Sequence, residues 1–113
     1  MKIPAEGNLL RIFIGEQDKY QGLPLYEAIV GEARKRNLAG ATVIKGCMGF
    51  GCKSHMHTAK ILRLSEDLPM LIEIVDSEEK INAFLPVLDQ MVLEGLITVE
   101  KVSVIMYRGE VKK

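Results

Sequence analysis

The chain has 113 residues, with fifteen Lys plus Arg balancing fifteen Asp plus Glu for a net charge of zero. A length and a 48% hydrophobic content of this kind describe one folded domain with a single core. Zero net charge argues against nucleic acid as the main partner, because phosphate binding needs a cationic excess. Two cysteines, Cys47 and Cys52, are too few for a secreted disulfide framework. The opening Met1–Gly7 segment lacks the apolar stretch of a signal peptide, and no window is apolar enough to span a membrane, so a cytoplasmic protein is expected.

Leu9-Leu10-Arg11-Ile12-Phe13-Ile14, closed by Gly15, reads as the first strand. Pro24 suits the first turn of a helix, and Leu25, Ala28, Ile29 and Ala33 recur at helical spacing, so a helix is expected from Pro24 to Asn37. Ala41 to Met48 returns to a strand pattern interrupted by Gly46. Gly49-Phe50-Gly51 breaks it, and a loop over 52–58 follows. Strand character resumes at 59–64 and again from Pro69 to Val75. Asp76 or Ser77 is placed to cap a second helix, with Glu79 at capping-box spacing from Asp76. Ile81, Phe84, Leu85, Leu88, Met91 and Val92 form its apolar stripe, and Pro86 predicts a kink or early break before Gly95. Gly95 to Thr98 reads as a short turn, and Val99 to Tyr107 as the last strand.

The order β-α-β-β-α-β is that of a ferredoxin-like α+β sandwich, an antiparallel sheet with two helices on one face. The strands are apolar on both faces, so the face without helices needs cover, and a second copy of the chain would supply it.

Four features could carry chemistry. Gly46-Cys47-Met48-Gly49-Phe50-Gly51 could bring backbone N–H groups near a phosphate, or be only a bulged strand end. Cys47, Cys52, His55 and His57 could hold a divalent metal, although Cys-x4-Cys-x2-His-x-His is not a usual zinc-finger spacing. Cys52 with His55 could form a thiolate pair, but no third group orients them, and the case for an enzyme is poor. Arg108, at the end of the last strand, could reach a phosphate bidentately, or sit in a solvated tail. Glu73 and Asp76 read as a surface charge and a cap.

Taken together, Gly40-Ala41-Thr42-Val43, Gly49-Phe50-Gly51, Pro69-Met70-Leu71-Ile72-Glu73 and Tyr107-Arg108-Gly109-Glu110 resemble motifs of the PII signalling proteins. Pro24-Leu25-Tyr26-Glu27-Ala28-Ile29, Ala39-Gly40-Ala41-Thr42-Val43 and Asp67-Leu68-Pro69 resemble more closely the PII-like family known as domain of unknown function 190, from about Leu9 to Glu110. The resemblance implies a homotrimer with an adenine nucleotide held between subunits and no catalysis. Thr42 would meet the adenine edge, Gly49, Phe50 and Gly51 would line the cleft, and Arg108 would face the phosphates. It also implies a long loop that docks on a regulated partner, with a membrane transporter or channel as one such target. Met70 stands where PII has its phosphate-binding lysine, Lys53 where it has a glutamine, and the Gly-Asp-Gly-Lys loop is absent. Fewer phosphate contacts remain, so ADP or AMP is the implied ligand. The alternative is a metal-binding trimer like the divalent-cation tolerance proteins, using the Cys47, Cys52, His55, His57 group.

Overall fold

A computed structural model describes residues 5–50, 57–58 and 67–109. The main sheet has four strands, β1 (Glu6–Gly15), β4 (Thr42–Lys45), β7 (Pro69–Asp76) and β8 (Leu96–Ser103), in the spatial order β4-β7-β1-β8. Each neighbouring pair is antiparallel. Two-residue ribbons join β2 (Lys19–Tyr20) to β3 (Leu23–Pro24), and β5 (Met48–Gly49) to β6 (His57–Thr58). Helices α1 (Leu25–Lys35) and α2 (Glu78–Met91) complete the expected ferredoxin-like β-α-β-β-α-β order. Among the described residues no helix is long and apolar enough to cross a membrane.

The alternation along β7 is strict. Met70, Ile72, Ile74 and Asp76 are buried, and the residues between them are half-buried. Leu10, Ile12 and Ile14 of β1 lie on the same side, and Ile29 and Ala33 of α1 with Ile81, Phe84, Leu88 and Met91 of α2 close the core over them. Burial of these side chains is the main term holding the domain together, at about 1.5–3 kcal/mol for each large one.

Several boundaries differ from the sequence expectation, each for a local reason. The first strand is longer than 9–14, because Asn8 still pairs with Asp76 and Glu6 with Ser103. Helix α1 ends at Lys35, before Asn37, which adopts a positive φ of 60° and turns the chain out of the helix. The expected strand Ala41–Met48 is two pieces, β4 and β5, split at Gly46 and Cys47.

Helix α2 passes through Pro86 without ending. Both Pro86 and Asn82, whose carbonyl loses its partner, are exposed, so water can take the hydrogen bond's place. Its cap is Ser77, whose Oγ accepts from the Lys80 N–H at 3.2 Å. Asp76 instead accepts from the Ser77 and Ala39 N–H groups, at 2.7 and 2.9 Å.

The last strand is shifted. It runs Leu96–Ser103, so all of the expected turn at Gly95–Thr98 but Gly95 is strand, and Val104 to Tyr107 lie beyond it. The expected strand at 59–64 and most of the 52–58 loop fall outside the described residues.

Candidate functional site

Cross-strand partners share a face, so the register names what lies on the side without helices. β1 presents Leu9, Arg11 and Phe13, and β7 presents Leu71, Glu73 and Val75. β4 adds Thr42 and Ile44 to this face, and β8 adds Leu96, Thr98, Glu100 and Val102. Phe13, Ile44 and Leu96 are 37%, 46% and 56% exposed, so among the described residues nothing covers this apolar surface. At its centre Arg11 bridges two strands. Its Nε donates to Glu73 at 2.9 Å, and its Nη1 donates to Glu100. The Glu73 hydrogen bond, with help from Glu100, pushes the Arg11 guanidinium above its ordinary range, against a smaller effect of burial. Arg11 therefore stays charged throughout the working pH range.

A cavity of about 600 Å³ opens at one corner of this face. Leu9, Val75 and Val102 form its floor, with the Glu73 carboxylate beside them. Residues 39–42, entering β4, form one wall, and the stretch 103–107 leaving β8 forms the other. The corner is built by strand pairing, since Thr42 stands opposite Glu73 while Leu9 stands opposite Val75. It joins an apolar floor to a hydroxyl, a carboxylate and backbone groups, the mixture expected of a small-molecule site. The apolar floor and the polar groups of its rim suit a flat ring carrying hydrogen-bonding edges.

The base of the loop that leaves β4 is pinned separately. Gly46 N–H donates to the Pro69 carbonyl at 2.7 Å, and a Cβ on Gly46 would come within 2.7 Å of the Pro69 ring. Only glycine lets the two stems approach this closely. Lys45 bridges to Glu16 at 2.8 Å, and the Gln17 N–H donates to Asp67 at 2.6 Å. Both stems are thus tied to the turn after β1.

Of the expected site residues, Thr42 lines the cavity. Gly49 and Phe50 stand in and just after β5, on the loop base and away from the cavity lining, and Phe50 is 66% exposed. Arg108 is exposed and directly follows Tyr107, a lining residue. Gly51 lies outside the described residues. So do Cys52 and His55 of the metal group; Cys47 is exposed, and among the described residues no three His, Cys, Asp or Glu side chains gather as a metal site.

The sequence marks neither Leu9 nor Val75 for the site; it gives Glu73 as a surface charge and Tyr107 only as part of the Tyr107-Arg108-Gly109-Glu110 motif. Glu73 could have been found from its place opposite Thr42 once the two strands were paired.

Comparison with known proteins places the chain. The family DUF190, described as Uncharacterized ACR, COG1993, matches residues 7–104. The chain belongs to the DUF190 family. It is 40% identical over 97 residues to a UPF0166 protein of Aquifex aeolicus, covering 86% of this chain and 91% of that one. It is 38% identical over 106 residues to a UPF0166 protein of Methanocaldococcus jannaschii, covering 93% and 95%.

Among solved structures it is similar to CPII, a nitrogen regulatory PII-like protein from Thiomonas intermedia K12, bound to ADP, AMP and bicarbonate. The TM-score is 0.60 at 17% identity over 88% of each chain. A second CPII structure, bound to ADP and bicarbonate, gives 0.56 at 18% identity, again over 88% of each. This DUF190 chain therefore has the PII-like fold.

Proposed function

We propose that this DUF190 protein is a non-enzymatic cytoplasmic regulator that binds ADP or AMP and transmits the bound state to a partner protein. The observation that carries the reading is the cavity at the Thr42 corner of the open sheet face. It offers an apolar floor for a purine, a hydroxyl and backbone groups for its edge, and an arginine close by in the chain at Arg108. CPII, which shares the fold, binds ADP and AMP, and that supports the choice of nucleotide.

The open face supports assembly. Phe13, Ile44, Leu71 and Leu96 leave an apolar surface that copies of the same chain can cover, and the resemblance to PII proteins implies three copies. Because the cavity lies on that face, covering it places the ligand at the boundary between subunits. The loop whose two stems are gripped at Glu16, Gln17, Lys45 and Asp67 is then the element that reports to a partner, with a membrane transporter or channel among the candidates.

Calorimetric titration of ADP and of AMP tests the ligand, with Arg108→Ala as control. Binding is expected for the parent and at least tenfold weakening for the variant. No heat at millimolar nucleotide would sink the reading. Light scattering on the eluting protein should give the mass of three chains.

A further inference from the structure

The last ladder-like contact of the chain is the Val104 N–H, which donates to the Ala5 carbonyl at 2.6 Å. Beyond it, Ile105 to Gly109 leave the sheet and adopt no regular structure. Ile105 and Met106 are 91% and 63% exposed, although both contribute to the cavity wall. Packing alone holds this stretch weakly, yet it does not stray from the body. The Tyr107 hydroxyl donates to the Ala39 carbonyl at 2.7 Å and ties one side of the cavity to the other.

The residue that carries the acceptor is itself anchored. Ala39 donates its own N–H to Asp76 Oδ2 at 2.9 Å, and Asp76 is buried, with Oδ1 taken by the Ser77 N–H. A buried carboxylate held by two backbone donors does not wander. The receiving carbonyl therefore belongs to a residue whose own N–H is anchored to the buried Asp76, while the stretch that reaches it is loose. The cavity lies between that stretch and the sheet, and the bond from Tyr107 to Ala39 closes one side of it.

We propose that Tyr107 is a positioning residue. Its hydroxyl latches the C-terminal strap across the cavity, and opening of that latch governs how long a ligand stays. The identity of the ligand, a nucleoside phosphate, rests on the function proposed above. The latch itself does not.

Tyr107→Phe keeps the ring and removes the hydroxyl. In the full chain without nucleotide, trypsin cleavage after Arg108, the next residue, reads strap opening. Loss of one neutral hydrogen bond shifts such an equilibrium by about fivefold. Cleavage after Arg108 is therefore expected about fivefold faster in the variant, with unchanged cutting at other basic residues and an unchanged melting temperature. ADP should leave the variant faster by a similar factor in a stopped-flow chase. Equal cleavage rates overturn the proposal, as does resistance of both proteins at Arg108. A uniform rise in cleavage with a lower melting temperature also overturns it, since the bond would then support the fold. If ADP binds neither protein, the nucleotide reading fails, and the cleavage ratio still decides on the latch.

Discussion

The two faces of the central sheet are made from alternate residues of the same strands, yet they do different work. On the helix side, Leu10, Ile12, Ile72 and Ile74 are at most 1% exposed and share one core with Phe84 and Leu88. On the other side, Phe13, Ile44 and Leu96 are comparably apolar but left partly in water, around a charged bridge from Arg11 to Glu73 and Glu100. The closed face is finished by the chain alone, so it stabilises. The open face is unfinished, and it carries the cavity. Hydrophobic character alone does not separate a core from a binding surface; what separates them here is whether helices α1 and α2 can reach it.

Substitutions on the two faces sharpen this contrast. Phe84→Ala, in the closed core, should cost about 3–5 kcal/mol in urea unfolding, because the large void cannot collapse. A loss below about 1 kcal/mol would mean that the helix side is not the core. Arg11→Met strands two carboxylates on an apolar face, and it should lower the urea midpoint by less than Phe84→Ala while loosening assembly. Raising the pH should not imitate that variant within the working range, since the Arg11 charge is held by Glu73 and Glu100. Ser77→Ala removes the acceptor for Lys80 N–H and should cost about 1 kcal/mol by the same assay. Phe13→Lys should move subunit stability least, by roughly 0.5 kcal/mol, because its side chain is already partly wet. Its effect should appear in size-exclusion elution instead, as a shift toward the single chain, and unaltered elution would show that the open face is not the assembly surface.

The order of elements was legible because it is written locally. The stripe of Ile81, Phe84, Leu88 and Met91 and the alternation of Pro69–Asp76 each point to one structure with a clear period. The last strand was misplaced because alternation persists from Val99 through Tyr107, while the true limits come from distant partners: Leu96 opposite Phe13 and Ser103 opposite Glu6. Only pairing across the sheet reveals that Val104 to Tyr107 belong to a cavity wall. Thr42 was reached through its motif, and Glu73 was passed over because a carboxylate in a strand has no local mark of use. Leu9, Val75 and Tyr107 meet through contacts between residues far apart in sequence, which no short window contains.

The position of β1 has a consequence for the newborn chain. This central strand is made first, but Ile12 finds its neighbours only when Ile72 and Ile97 have been synthesised. Until then Leu9 to Ile14 is an unpaired, β-prone segment at risk of joining other nascent copies. A single charge interrupts it, and that charge is Arg11, which acts as a gatekeeper against aggregation before it has any bridge to make.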